Sequence, residues 1–156
     1  MIEYSREIAE SIKNYMNSIN MKYAFDEEDG LFTYELSPNS NFDKLNCYIW
    51  IDETAYYIIS ELNITITDDT IESISALLNE INYSAIFTNF VFDINKKKVY
   101  CQCYTNCKGI IPSNEIIAES LFGAMVLVTK YGEFIFEIAE GKEIDKEAFQ
   151  KEMLEK

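Results

Sequence analysis

Apolar and polar positions follow two periods along the chain, and the switches between them mark out the elements. From Tyr4 to Asn20, Ile8, Ile12, Tyr15, Met16 and Ile19 recur every three or four residues, which predicts an amphipathic helix with Ser5 as its N-cap. The period then falls to two. Met21 to Phe25 and Leu31 to Leu36 are short apolar runs joined by Asp26-Glu27-Glu28-Asp29-Gly30, the composition of a solvated hairpin turn. The acids of that turn lack the alternating spacing and closing glutamate of a calcium loop. Pro38 to Asp43 reads as loop, and Asn46 to Asp52 with Ala55 to Leu62 predicts a second hairpin turning at Glu53-Thr54.

A helical period returns at Asp68 or Asp69, where Asp69 and Glu72 have capping-box spacing. Ile71, Ile74, Leu77, Leu78 and Ile81 supply one apolar face, and Asn82 is the expected stop. A third hairpin follows, from Ile86 to Ile94 and from Lys98 to Thr105, around Asn95-Lys96-Lys97. After Pro112-Ser113, Ile117, Leu121, Ala124, Val128, Tyr131, Ile135 and Ile138 again recur at helical spacing. A continuous helix from Asn114 to Ala139 would run about 39 Å at about 1.5 Å per residue. Gly123 and Gly132 weaken that reading, and the alternative is a break near Gly132 with 133–139 as a strand. Gly141 ends the element, and the tail 142–156 holds a short acidic helix capped by Asp145.

The order is one helix, four strands, a helix, two strands and a long helix. Short links make every strand pair antiparallel, so the expected class is α+β: a sheet of five to six strands with helices mainly on one face. Alternation sorts the side chains of that sheet. Cys47, Ile49, Ile51, Val99, Cys101, Cys103, Ile86, Phe90 and Phe92 fall on one face, suited to cover by the first and third helices. Tyr48, Trp50, Tyr57, Phe87, Tyr100 and Tyr104 fall on the other. A second face left in water is ordinarily polar, so these six rings are the candidate contact residues for a partner protein or a second subunit. The competing reading is that strand propensity recruits the aromatics and that loops or the second helix cover them.

Composition narrows the function. The chain has 156 residues, and its 27 acidic and 13 basic side chains leave a formal net charge of −14 without a histidine. Hydrophobic residues at 48% can build one core, so the whole of 1–156 is expected to be one domain. Nucleic acid and anionic membrane are excluded as partners, because both bind through Lys and Arg. Charged residues interrupt Met1 to Lys13, where a secretory signal would be apolar, and the expected location is the cytoplasm. Cys47, Cys101, Cys103 and Cys107 read as buried free thiols, since C-x-C-x3-C is not a familiar zinc spacing. Without histidine there is no Ser-His or Cys-His couple, and neither a nucleophile elbow nor a phosphate loop is present. No catalytic residue, cofactor or metal is expected.

The segments TDDTIESISALLNEIN, FVFDINKKKVYCQCY and SNEIIAESLFGAMVLVTKYGEFIFEIAEGKEIDKEAF carry a resemblance. An LNEIN helix end, an F-x-F-D strand with a basic turn, and a helix closing in EG before EAF resemble the YbjN family of bacterial proteins over Glu3 to Met153. That family is grouped with the type III secretion chaperone-like fold. The resemblance implies small acidic dimers that bind extended protein segments, or regulators of sensory transduction, and it supplies no catalytic residues. Together these readings point to a non-catalytic protein-binding module, chaperone-like or regulatory. It would meet a partner protein or its own second subunit, as a homodimer, through the sheet face or an edge strand. The rival is a small-ligand binder or enzyme with a pocket between the third helix and the sheet.

Overall fold

The computed structural model describes residues 2–155. Helix α1 spans Arg6–Ser18, and four strands follow, β1 (Ala24–Asp26), β2 (Leu31–Leu36), β3 (Leu45–Ile51) and β4 (Ala55–Glu61). A 3-10 turn at Asp68–Thr70 leads into α2 (Ile71–Ser84). Strands β5 (Thr88–Asp93) and β6 (Lys98–Asn106) precede α3 (Asn114–Ala139) and α4 (Lys146–Leu154). The six strands form one antiparallel sheet in the order β1-β2-β3-β4-β6-β5. This is the α+β class that the alternation of periods predicts.

Ser5 caps α1 through a bond from the Ile8 amide at 3.2 Å, and Ser113 caps α3 in the same way from Ile116. The apolar stripe of α1 buries Ile8, Ala9, Ile12 and Met16. Helix α2 buries Ile74, Leu77, Leu78 and Ile81, and α3 buries Ile117, Leu121, Ala124, Val128, Tyr131 and Ile135. All of them join one core with Phe32, Tyr34, Cys47, Ile49, Ile58, Phe90 and Cys101 of the sheet. Two polar contacts tie α3 across that core. The Tyr34 hydroxyl donates to the Leu121 carbonyl at 3.1 Å, and the buried Tyr56 hydroxyl lies 2.7 Å from Ser120 Oγ.

Helix α3 is unbroken, and its glycines are packing positions. A Cβ on Gly123 would stand 2.0 Å from Thr88 Oγ1 of β5, and one on Gly132 would stand 3.3 Å from the Phe42 ring. Helix and strand approach as closely as they do because no side chain intervenes. Gly30 closes the β1–β2 turn at φ +63, where its Cβ would also strike the Tyr4 ring at 2.6 Å.

Several expectations are corrected. Asp69 is not a cap: α2 starts after the 3-10 turn, and the Asp69 carboxylate instead accepts from the Thr67 hydroxyl at 2.5 Å. Asn82 does not stop α2, which runs to Ser84; its side-chain amide bonds the main chain of β5 instead. The strand from Ile86 to Ile94 shortens to Thr88–Asp93, leaving Ile86 exposed rather than on the covered face. Helix α4 carries two lysines and two glutamates, so it is not acidic. Asp145 does cap it, accepting from the Glu147 and Ala148 amides at 3.0 and 3.1 Å.

Candidate protein-contact face

The strand registers place side chains in rows across the sheet. On the face packed against the helices, Tyr34, Cys47, Ser60, Cys101 and Phe90 form one row, and Phe32, Ile49, Ile58, Cys103 and Thr88 the next. Helices α1, α2 and α3 all bury their stripes on this side. The other face has the rows Leu31, Trp50, Tyr57, Tyr104 and Thr33, Tyr48, Ile59, Gln102, Asn89. A third row is Glu35, Asn46, Glu61, Tyr100, Val91.

Five of the six candidate rings therefore share the uncovered face: Tyr48, Trp50, Tyr57, Tyr100 and Tyr104. They shield one another in part. Trp50 and Tyr57 stack across β3 and β4 with centroids 6.5 Å apart and planes at 20°, a cross-strand pair of the kind that contributes about 0.2–1 kcal/mol. Tyr48, Trp50 and Tyr100 are half-buried, whereas Tyr57 is 40% and Tyr104 67% exposed. At the far end of the face, Lys98 bridges to Glu61, and that carboxylate holds the lysine's pKa above its ordinary value.

Phe87 is not among them. It precedes β5 and, with Ile86, borders an open apolar groove of about 300 Å³ against Phe122, Gly123, Val126 and Leu127 of α3. This hollow lies where the rival reading placed a ligand pocket. Its polar lining is Glu119 and Thr88, too little to orient a small molecule by convergent hydrogen bonds.

The thiols lie beneath the sheet, and all four are free and buried. Burial pushes Cys47 up to about 11, partly offset by the bond it accepts from Ser60 Oγ at 3.1 Å. Burial also raises Cys101, Cys103 and Cys107. Such groups stay protonated at neutral pH, which makes them poor nucleophiles. Among the described residues, no three Cys, Asp or Glu side chains converge as metal ligands.

The two edges of the sheet differ. At β5, the Asn82 side-chain amide bonds the main chain of Phe90 from both ends, accepting from its N–H at 2.8 Å and donating to its C=O at 2.7 Å. Sequence reading missed this role, because an Asn near a helix end has the same signature as a terminator. At the other edge β1 is three residues long. The Ile51 amide bonds the Gly30 carbonyl at 3.2 Å, which sets the even-numbered residues of β2 toward β3 and the odd-numbered ones outward. Past Ala24 the preceding segment is drawn to α1 through Met21 N–H to the Met16 carbonyl. Glu35 thus has no strand on its outer side, and a notch of about 530 Å³ opens there between Met21, Lys22, Tyr23 and Thr33.

With element order, sheet order and covered face known, the chain can be set beside solved structures. YbjN from E. coli superposes with a TM-score of 0.55 at 12% identity, over 79% of this chain and 90% of that one. The chain has the YbjN-like fold. Two looser likenesses are to type III secretion proteins. One is the chaperone SycH of Yersinia pestis, solved with a fragment of YscM2 (TM-score 0.47, 11% identity, 77% and 98% covered). The other is in the ExoU–SpcU complex of Pseudomonas aeruginosa (0.45, 9%, 74% and 93%). No protein-family model matches the sequence, and no curated protein is similar to it. The YbjN-like fold is thus supported by shape, and one fold hosts many functions. Among the described residues, no helix is long and apolar enough to cross a membrane.

Proposed function

We propose that this chain is a non-catalytic protein-binding module of the cytoplasm, chaperone-like or regulatory, that holds a partner protein against the uncovered face of its sheet. One observation carries the reading: the helices bury their apolar stripes on a single side, and the opposite side carries Tyr57 and Tyr104 exposed beside half-buried Tyr48, Trp50 and Tyr100. Tyr and Trp supply large amphipathic contact area at low entropic cost, which is why they gather at interfaces. The notch beside Glu35 adds an edge where an extended segment of the partner can continue the sheet by main-chain hydrogen bonds. A second copy of the chain is the other occupant the face admits, which would make the module a homodimer.

The test is a double variant, Trp50→Ser with Tyr104→Ser, used as bait in capture from the native cell beside the unaltered chain. Unchanged far-UV circular dichroism with lost capture supports the reading. Equal capture and an unchanged sedimentation coefficient refute it. A drop from dimer to monomer in the variant assigns the face to a second copy.

A further inference from the structure

The uncovered face is polarised along its strands, and this selects the chemistry of its occupant. At one end stand the β1–β2 and β3–β4 turns with Asp26, Glu27, Glu28, Asp29, Asp52 and Glu53, all exposed. They adjoin the row of Leu31, Trp50, Tyr57 and Tyr104, which holds the two most exposed rings of the face. Glu27, Glu28 and Glu53 meet Glu3 and Arg6 around a hollow of about 510 Å³, one guanidinium among four carboxylates. None of the ion pairs among the described residues uses them. At the opposite end, Lys44, Lys97 and Lys98 are matched by Glu35, Asp68 and Glu61.

We infer that the occupant is a basic polypeptide segment, whose planar or aliphatic groups rest on the Trp50–Tyr57–Tyr104 row while its Lys and Arg side chains reach the two acidic turns. The inference rests on the reading of the face given above and adds the partner's charge and direction. Cations are favoured twice at this end, by the carboxylates and by the ring faces. The chain makes the same pairing within itself, where Lys13 Nζ sits 4.0 Å over the Phe25 ring. A second copy, itself at −14, would not neutralise these carboxylates, whereas a basic segment does.

Trp50 is the sole tryptophan, so its emission reports occupancy of the face directly. The experiment titrates the full chain with three synthetic peptides of one apolar pattern, carrying Arg and Lys, Gln, or Glu at the intervening positions. The basic peptide is expected to shift Trp50 emission with an affinity at least tenfold above the Gln peptide. That affinity should fall about tenfold between about 0.1 M and about 1 M salt, as the screening length drops from about 10 Å to about 3 Å. The Glu peptide should leave emission unchanged. The variant Glu27→Lys/Glu28→Lys/Glu53→Lys changes three exposed side chains that form no ion pair, so it should fold normally and lose the preference for the basic peptide. If all three peptides bind alike and the charge variant keeps its affinity, the charge inference fails while the contact face stands. If the chain sediments as a dimer with Trp50 already shielded from a soluble quencher, the face belongs to a second copy and the charge inference alone falls; if none of the peptides alters Trp50 emission in a monomeric chain, both fall.

Discussion

Gly123→Ala tests the packing that holds α3 on the sheet, and it sets two effects of known sign against each other. In a solvated helix the change would be favourable by about 1 kcal/mol, since alanine loses less backbone entropy than glycine. Here the added Cβ would lie 2.0 Å from Thr88 Oγ1 and 3.0 Å from Thr88 Cβ. Turning the threonine about χ1 moves the hydroxyl but not the Cβ, so α3 must also lift away from β5 by several tenths of an ångström. Overpacking of this kind costs about 1–3 kcal/mol, and the depth of the overlap places it at the upper end. The net expectation is a loss of about 2 kcal/mol. With a urea dependence of about 2 kcal/mol/M, that lowers the unfolding midpoint by about 1 M with an unchanged slope. Thr88→Ala removes the first clash, so the double variant should be at least about 1 kcal/mol more stable than the two single changes sum to. Gly132→Ala meets its neighbours only at 3.1 and 3.3 Å and should be near neutral. A rise in midpoint for Gly123→Ala, or a strictly additive double variant, would refute the argument.

Other outcomes follow from single contacts. Asn82→Ala strips both partners from the Phe90 main chain, with an expected cost of about 1–3 kcal/mol and faster hydrogen exchange at the Phe90 amide. Cys47 holds its proton in the native state up to about pH 11, whereas the unfolded chain releases it from about pH 8.5. Its contribution is therefore complete below about pH 8.5 and is lost as pH rises toward 11, by about 3 kcal/mol, a decline that urea titrations should show flattened in Cys47→Ala. Asp145→Ala removes the cap of α4 and should cost about 1 kcal/mol, seen as early loss of α4 protection in hydrogen exchange. Ile86→Ser with Phe87→Ser should leave both stability and peptide binding at the uncovered face within error, since Ile86 is 84% and Phe87 66% exposed away from the aromatic rows.

Much of this architecture is written in side-chain period. The stripes of α1, α2 and α3 and the alternation of β3, β4 and β6 are each long enough for one period to dominate, so the elements along the chain, the hairpins and the two faces could be read before any coordinates, whereas the pairing of β4 with β6 could not. The pairing register is not read from the period, although it is constrained, because a one-residue slip would carry Cys47, Ile49 and Ile51 to the aromatic side. What escaped lies where two elements meet. Gly123 and Gly132 look like helix breakers to a local rule, yet they answer to Thr88 and Phe42, far away in sequence. Asn82 looks like a terminator and serves a neighbouring strand. Ile86 and Phe87 continue an apolar run beyond the last ladder bond, so periodicity extended the strand past its end and added Phe87 to a group of rings it does not join.

The inequality of the two sheet borders bears on how readily copies of this acidic chain could join strand to strand. Fibre growth by strand pairing needs a donor border and an acceptor border on every molecule, and the carboxamide of Asn82 occupies the middle of one of them. Copies could still meet through the vacant place beside Glu35, but such a union uses that place on both and leaves nothing for a third. An added strand therefore meets open main chain beside Glu35 and a capped main chain at Phe90, so the two borders are not interchangeable as pairing partners.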